Sequence, residues 1–219
     1  MRAGWRLLSK QSLLTIVSVL GALFTNEGAM GDCKIAAIGV DPAPGVTLVP
    51  AFVCRGQEQT FYTADTILTA ITVWNPPRNY TDVLPRRLFV IGTLGGLPNH
   101  ADIIYGPRDL VVEKADSINP VPYRYDFDPP ILLPSVGMYA FVIMTDRELA
   151  AFNILADPRN PYAEGQDCEM GPVYGCVAPG TERCYAHPEF DLCFRAEFCQ
   201  DVGVEAQSRS WGRLKLRYR

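Results

Sequence analysis

Residues 123–145, YRYDFDPPILLPSVGMYAFVIMT, decide the fold class of this chain. The segment 123–127 alternates aromatic with charged side chains, which is typical of a half-buried antiparallel strand because successive side chains point to opposite faces. The segment 137–145 is apolar at nearly every position and predicts a central strand, covered on both faces. Pro129, Pro130 and Pro134 separate the two segments. This stretch therefore predicts a β-sheet protein.

Short segments of the same kind recur along the chain, divided by Pro and Gly. Pro50 lies inside the first of them, which makes that segment an edge strand. The Gly106-Pro107 pair reads as a turn before a weaker strand. The further predicted strands are 46–54, 58–63, 67–74, 87–93, 109–115, 152–156 and 191–199.

Helical periodicity over three turns is absent from the sequence, and the best helical candidate, 146–153, is long enough for one or two turns. Eighteen prolines and eighteen glycines agree with many short strands joined by turns. The prediction is an all-β fold: a two-sheet antiparallel β-sandwich, jelly-roll-like, with about nine strands in a single domain over residues 32–200.

The first 31 residues have the layout of a signal peptide. Three cations precede an uncharged apolar run, 13–24, which is shorter than the roughly 20 residues that a membrane-spanning helix needs. Small residues place the expected cut after Gly31. Cys33 lies where a lipidated cysteine would stand, but the preceding Asp32 is unlike the small residue of a lipid-modification motif. We expect a secreted or periplasmic protein with no membrane span after cleavage.

The expected mature chain is acidic. Removing residues 1–31 leaves seventeen basic and twenty-three acidic residues, a net charge of −6. This balance excludes the broad cationic surface that nucleic-acid binding requires. The segment 201–219 differs, because its last eleven residues carry five cations, and we expect an unpaired, disordered basic tail there.

Seven cysteines in an exported chain predict disulfides, with at least one thiol left over. The leftover thiol could form an intermolecular disulfide. Sequence alone leaves the connectivity open, and the pairs favoured by proximity are Cys33 with Cys54 and Cys176 with Cys184. The remaining cysteines are Cys168, Cys193 and Cys199.

Catalytic motifs are not recognisable in the sequence. The four serines after the leader lie outside any nucleophile elbow, and His100 and His187 are too far apart in sequence to suggest a triad or a three-histidine metal site. Glycoside cleavage asks for two suitably spaced acids, for which Glu113, Asp126 and Asp128 are candidates. Solvated turn residues are the favoured interpretation of these acids, and we expect no enzyme activity.

Metal binding has weak support. Cys184 and His187 are three residues apart, with Cys168 and Cys176 close by in sequence, which suggests zinc ligands. The spacing does not match a paired zinc knuckle, however, and oxidised cysteines are favoured in an exported chain. Asp126 and Asp128 share a strand face and could hold a structural calcium ion, although no calcium-loop motif is present. No cofactor is predicted.

Loop aromatics give the sequence its one hint of a ligand. Trp74, Tyr80 and Tyr105 lie in or beside Pro- and Gly-rich segments, and Asn79 and Asp82 add an amide and an acid. Aromatic faces beside polar groups suit a saccharide site. Core or loop packing is the alternative, and the more frequent role of such aromatics.

The segments EQTFYTADTILTAITVW, YGPRDLVV and PYRYDFDPPILLPSVGMYAFVI together resemble secreted bacterial jelly-roll modules of the galactose-binding-like and carbohydrate-binding-module type. The resemblance covers about residues 46–199 and implies a β-sandwich that binds rather than catalyses. We therefore expect a non-catalytic module for carbohydrate or another cell-envelope component. The alternatives are a structural or interaction protein of the cell surface and, third, an unrecognised glycosidase or lyase.

Overall fold

The computed structural model describes residues 33–51, 56–79, 86–111, 116–145, 152–170 and 184–200. Within these ranges every regular element is a β-strand, and all strand pairs are antiparallel. The all-β, antiparallel fold class is confirmed. The same ranges contain no helix that is long and apolar enough to cross a membrane.

Thirteen strands are found in the described ranges. In chain order they are β1 Lys34–Val40, β2 Thr47–Ala51, β3 Gly56–Thr63, β4 Ile67–Asn75, β5 Arg86–Leu94, β6 Leu97–Leu110, β7 Val121–Leu132, β8 Gly137–Thr145, β9 Phe152–Asp157, β10 Asp167–Met170, β11 Cys184–His187, β12 Asp191–Leu192 and β13 Phe194–Gln200.

The strands form two large sheets and one small one. The four-stranded sheet has the order β1-β13-β4-β7, and the six-stranded sheet has the order β11-β10-β3-β8-β5-β6. A three-stranded sheet, β12-β9-β2, completes the fold. The two large sheets form a sandwich, while the jelly-roll connection stays a prediction.

Aromatic side chains fill the space between the two large sheets. The Phe61 ring lies 6.2 Å from the Phe198 ring, and the Phe141 ring lies 5.4 Å from the Phe194 ring, measured between centroids. Phe61 and Phe141 belong to the six-stranded sheet and the other two to the four-stranded sheet, and all four are buried. Burying side chains of this size supplies most of the stabilisation of such a sandwich.

The six-stranded sheet is also apolar on its outer face. Phe89, Ile91, Val142 and three neighbours form a second buried cluster there. The pairing of β5 with β6 shifts between Ile91 and Thr93, so residues 99–102 form an irregular stretch of β6. His100 from this stretch lies 2.7 Å from Glu58 of β3, and both side chains are buried. This polar pair links the edge strand to the middle of the sheet.

Several sequence predictions are confirmed strand by strand. The residues of 123–127 alternate between buried and exposed, as expected for a half-buried strand. The segment 137–145 is β8, an interior strand of the six-stranded sheet, and β2 lies at the edge of the small sheet. The hydrophobic patterns therefore identified both the face and the depth of these strands.

The predicted number of nine strands is too low, and three predictions of local structure are wrong. Strands β1, β10 and β11 were missed, and the predicted strand 191–199 is interrupted at Cys193. The Gly106-Pro107 pair lies inside β6 rather than in a turn. Of the strand predicted at 109–115, residues 109 and 110 are the end of that longer strand, and residues 112–115 lie outside the described ranges. Residues 146–151 of the helical candidate lie outside the described ranges, as do the leader 1–31 and the tail 201–219.

The predicted disulfide pairs are also wrong. Cys33 pairs with Cys199, and Cys168 pairs with Cys184. The register explains both bonds, because β1 pairs with β13 and β10 pairs with β11. Proximity in sequence does not show which strands are neighbours. Cys54 and Cys176 lie outside the described ranges.

A buried arginine links the two sheets at the end of the sandwich where β5 begins. Arg86 is fully buried, and its guanidinium lies 4.2 Å from the Tyr123 ring centroid and donates a short hydrogen bond to Asn75 Oδ1. Asn75 Nδ2 donates in turn to Tyr123 Oη at 2.8 Å, which also accepts from Arg78. Charged and amide groups tolerate burial when they have such partners.

Tyr123 and Tyr125 provide a matched test of this network. Both are buried on β7, but Tyr125 Oη has no hydrogen-bond partner. We expect Tyr123→Phe to lower the free energy of unfolding by about 1–3 kcal/mol, because buried donors lose their acceptor. Tyr125→Phe should be neutral or stabilising. Urea unfolding measures both changes, and equal effects of the two variants would contradict the assigned network.

The disulfide assignment predicts unequal effects of removing each bond. The Cys33–Cys199 bond joins residues 166 apart in sequence and the Cys168–Cys184 bond joins residues 16 apart. In the chain-entropy model these loops are worth about 5 and about 3 kcal/mol. Paired Cys→Ser variants should therefore show the larger loss of stability for the first bond. Peptide mapping without reduction tests the pairing itself, and a Cys33–Cys54 peptide would contradict it.

Candidate functional site

The outer face of the four-stranded sheet carries the only tryptophan of the described ranges. Trp74 lies near the end of β4, where the buried neighbours Val73 and Asn75 point the opposite way, and its side chain is half-buried. It is paired in register with Pro122 of β7. We call this surface, formed by Trp74, Thr72, Arg124, Asp126, Arg195 and Glu197, the Trp74 face.

Arg124 organises the middle of the Trp74 face. Its guanidinium donates to both carboxylate oxygens of Glu197, at 2.6 and 2.8 Å, and from Nε to Asp126 at 2.7 Å. The hydrogen bonds from Arg124 lower the pKa of Glu197, so this carboxylate stays charged. The bidentate geometry fixes three side chains that would otherwise be mobile at a surface.

A second arginine lies beside the tryptophan. Arg195 of β13 donates from Nε to Asp41 at 3.1 Å and makes a second, short bond from Nη2. Its guanidinium carbon lies 5.9 Å from the Trp74 ring centroid, near the outer limit of cation–π contacts. Arg195 and Arg124 are both paired in register with Thr72, so the two ion pairs flank one strand.

Small side chains line the rest of this face. Ala70 separates Glu197 from Asp126, while Ala37 and Gly39 of β1 lie opposite Glu197 and Arg195. The result is an indole beside a row of fixed hydrogen-bond donors and acceptors. Such a surface can stack an apolar ring face and hydrogen-bond the hydroxyl groups around it.

The predicted site residues do not form one cluster. Trp74 lies in β4, and the exposed Asn79 lies in the loop that follows this strand. Tyr105 belongs to the other large sheet, where it is half-buried and packs edge-on against Phe127 at 5.2 Å between centroids. It therefore contributes to core packing and shares no surface with Trp74. Tyr80 and Asp82 lie outside the described ranges.

Sequence reasoning missed the charged members of the Trp74 face. Arg124 and Glu197 are 73 residues apart, and nothing in the sequence indicates that β7 and β13 both flank β4. A signal was nevertheless present, because both residues occupy the polar positions of alternating strands. Assigning those positions to the same sheet would have found them.

A second polar group is buried between the six-stranded sheet and β12. The Gln59 side chain donates to Asp191 Oδ1 at 3.1 Å and accepts from the Leu192 N–H at 2.8 Å. The Tyr162 N–H donates to the other Asp191 oxygen at 2.7 Å. These bonds join β3 to the chain around β12, and they explain why Asp191 can be fully buried.

Asp167 is the exception in this region. It lies opposite Gln59 in register and is fully buried, and neither of its carboxylate oxygens makes a hydrogen bond of normal geometry, although the adjacent Cys168 N–H lies near. Burial raises the pKa of Asp167 well above its usual value, assisted by the nearby Glu58 and Asp191, and the adjacent Cys168 N–H offsets part of this effect. A buried carboxyl in this state costs stability whenever it ionises.

The acids considered for catalysis and calcium binding lie apart from the buried polar group around Asp191 and Asp167. Asp126 and Asp128 are exposed on β7, and Asp126 binds Arg124. Within the described ranges no three His, Cys, Asp or Glu side chains are placed to hold a metal ion. Cys184 is in a disulfide, so it is not available as a zinc ligand, and Glu113 lies outside the described ranges.

The unpaired thiol of the described ranges is Cys193. It is fully buried, and burial raises its pKa to about 12, with a further contribution from Asp157. A buried, protonated thiol is unreactive. The expectation of an intermolecular disulfide is therefore not met by Cys193 in the folded protein, and both described disulfides are intramolecular.

Comparison with known proteins yields only distant structural likenesses. No protein-family model and no characterised protein matches the chain in sequence. A solved structure of a variant of the clostridial cysteine protease Cwp84, after propeptide cleavage, aligns with a TM-score of 0.35 and 11% identity. The alignment covers 73% of this chain and 41% of that one, so this chain spans less than half of that protein. A likeness at this level carries no functional argument.

Asp167 and Asp191 provide a matched test of the buried polar group. Because the folded-state pKa of Asp167 is raised, its contribution to stability is present below its unfolded pKa of about 3.9 and is lost as pH rises above it. We expect Asp167→Asn to raise the free energy of unfolding at pH 7 by at least about 1 kcal/mol. The gain should shrink toward pH 4.

Asp191→Asn should instead lower the free energy of unfolding. Both carboxylate oxygens of Asp191 accept hydrogen bonds, from Gln59 and from the Tyr162 N–H, and an amide supplies only one acceptor oxygen. Urea unfolding across this pH range measures both variants. A destabilising Asp167→Asn substitution at pH 7 would show that the Asp167 carboxylate is charged and partnered in the folded protein.

Proposed function

We propose that this protein is a non-catalytic binding module for carbohydrate, in free form or as part of the cell envelope, and that the Trp74 face is its binding surface. The observation that carries the proposal is a half-exposed tryptophan beside two arginine–carboxylate pairs on one sheet face. The module is proposed to be secreted or periplasmic. Two disulfides support this location, since disulfides form and persist in oxidising compartments.

The chemistry of the face suits a saccharide better than an apolar ligand. Sugars present an apolar ring face and a rim of hydroxyl groups that both donate and accept hydrogen bonds. The indole offers the stacking surface, while guanidinium groups donate and carboxylates accept. The ion pairs hold these groups in place before the ligand arrives, which reduces the entropy lost on binding.

The lowered pKa of Glu197 favours binding over glycoside cleavage. A glycosidase acid needs a raised pKa so that it can donate a proton near neutral pH. Glu197, the most buried acid of the face, has a lowered pKa because Arg124 holds both of its oxygens. It is suited to accept hydrogen bonds from a sugar hydroxyl, and unsuited to protonate a leaving group.

The proposal predicts that Trp74→Ala abolishes or weakens glycan binding. We expect an affinity loss of at least about tenfold, because a large aromatic at the centre of a contact carries much of the binding energy. Tyr185→Ala is the matched control, since Tyr185 is 59% exposed on β11, in the other large sheet. Retention on insoluble cellulose, chitin and peptidoglycan, together with a glycan array, measures the effect.

The two possible failures of this test are separate. Retention on none of these glycans would remove the carbohydrate proposal. Retention that Trp74→Ala and Tyr185→Ala leave equally intact would keep the function and reject the surface. Quenching or shift of the Trp74 fluorescence on ligand addition, in a Trp211→Phe background, gives a direct readout at the site.

A further inference from the structure

Strands β10 and β11, which we call the edge hairpin, lie at one edge of the six-stranded sheet. Among the described strands β11 pairs only with β10, and β10 joins the hairpin to β3. Three pairs in register make this junction: Asp167 with Gln59, Cys168 with Glu58, and Glu169 with Gln57. The Cys168–Cys184 disulfide crosslinks the two strands of the hairpin, so they stay together if they leave β3.

The chain is anchored on both sides of the edge hairpin. Before β10, the Thr60 N–H donates to the Gln166 carbonyl at 3.0 Å, and the Gln166 N–H donates to the Thr60 hydroxyl at 2.8 Å. After β11, the Gln59 side chain bonds both Asp191 and the Leu192 N–H. The hairpin can therefore leave β3 while the chain on either side stays in place. Short elements at a sheet edge are among the parts of a protein that open at least cost.

Asp167 makes the docked position of the hairpin sensitive to charge. Its side chain is fully buried, and neither carboxylate oxygen makes a hydrogen bond of normal geometry. An uncharged carboxyl group tolerates such a site at modest cost, whereas a carboxylate there is strongly disfavoured. Release of the hairpin from β3 returns this group to water.

The ionisable groups around Asp167 give a carboxylate no compensation. Those on the strands packed around it are Glu58 of β3, Glu169 of β10, His187 of β11 and Asp191 of β12. His187 lies opposite Asp167 in register, but its ring nitrogens face Glu169 at 3.9 Å and Glu189 at 3.3 Å. An ionised Asp167 would therefore be a further negative charge beside other acids, in a site closed to water.

We propose that the edge hairpin is a pH-dependent latch, docked on β3 while Asp167 is protonated in acid and released from β3 as Asp167 ionises. The buried Met170 side chain, packed in the outer apolar cluster, favours the docked form. Release exposes the edge of β3 with its backbone hydrogen-bonding groups. The latch belongs to the six-stranded sheet and the Trp74 face to the four-stranded one, so neither proposal depends on the other.

The sign and the pH window follow from the two environments of Asp167. In the released form its carboxyl group is in water, with an ordinary pKa of about 3.9. In the docked form burial raises the pKa of Asp167 well above that value. The docked form is therefore fully favoured below pH of about 3.9 and loses stability as pH rises toward the raised pKa. In this window the ratio of released to docked molecules should rise by up to about tenfold per pH unit.

Amide hydrogen exchange followed by NMR, from about pH 4 to about pH 8, tests the latch. The probe is the Glu58 N–H, because the alternation of an antiparallel ladder makes Glu58 with Cys168 the next hydrogen-bonded pair after Thr60 with Gln166. Comparing the protein with its Asp167→Asn variant at each pH cancels the intrinsic exchange rate. We expect the ratio of the two rates to rise with pH, by up to about tenfold per unit, and then to level off.

Two controls separate the latch from more general effects. Glu164→Gln removes an exposed carboxylate from the segment just before β10 and should keep the pH dependence of the unsubstituted protein. The amides of β4, in the other large sheet, should exchange more slowly than the Glu58 N–H at every pH, since release of the hairpin leaves β4 paired.

Three results would overturn the proposal. One is a ratio at Glu58 that does not change with pH, and another is loss of the pH dependence in Glu164→Gln as well as in Asp167→Asn. The third is equal exchange at Glu58 and in β4, because Asp167 would then act on unfolding of the whole protein rather than on release of the hairpin.

Discussion

The aromatic contacts between the two large sheets are the constraint on which the remaining features depend. Phe61 and Phe141 pack against Phe198 and Phe194, and each of these side chains fixes which face of its strand points inward. Since a strand alternates, the residues between them must point outward. Arg195 and Glu197 are on the outer surface because Phe194, Ala196 and Phe198 are inside. The core therefore positions the candidate binding surface without contributing a residue to it.

The predictions that succeeded depend on properties of a single strand. The alternation in 123–127 and the continuous apolar run of 137–145 are set by how much of each face is covered, and that information lies within a few residues. The missed strands lack it. Strands β10 and β11 are four residues long and partly polar. Strand β10 forms because β3 offers an edge to pair with, and β11 forms because it pairs with β10. Gly106-Pro107 shows the same limit, since a locally strong turn signal is overridden by pairing with β5.

The site and the disulfides required knowledge of which strands are neighbours. Arg124 reaches Glu197 across β4, and Cys33 reaches Cys199 through the pairing of β1 with β13. These partners are distant in sequence, and a single sequence contains no local pattern that indicates the order of strands in a sheet. Trp74 was predicted as a site residue because an aromatic at a strand end is visible in sequence, and that role stays a prediction. Tyr105 has the same kind of position in the sequence, yet in the structure its ring packs edge-on against Phe127.

Cys193 carries a consequence for how the native disulfides are reached. Thiol–disulfide exchange proceeds through the thiolate, and an unfolded cysteine has a pKa of about 8.5, so an appreciable fraction is reactive near neutral pH. In the folded protein burial raises the pKa of Cys193 to about 12, which nearly removes that fraction. Cys193 is six residues from Cys199 along the same stretch of chain, close enough to attack its disulfide whenever β13 is unpaired. Pairing of β13, the last strand of the described ranges, therefore does two things at once: it joins β1 to β4 in the four-stranded sheet, and it makes unreactive the thiol that could exchange with the Cys33–Cys199 disulfide.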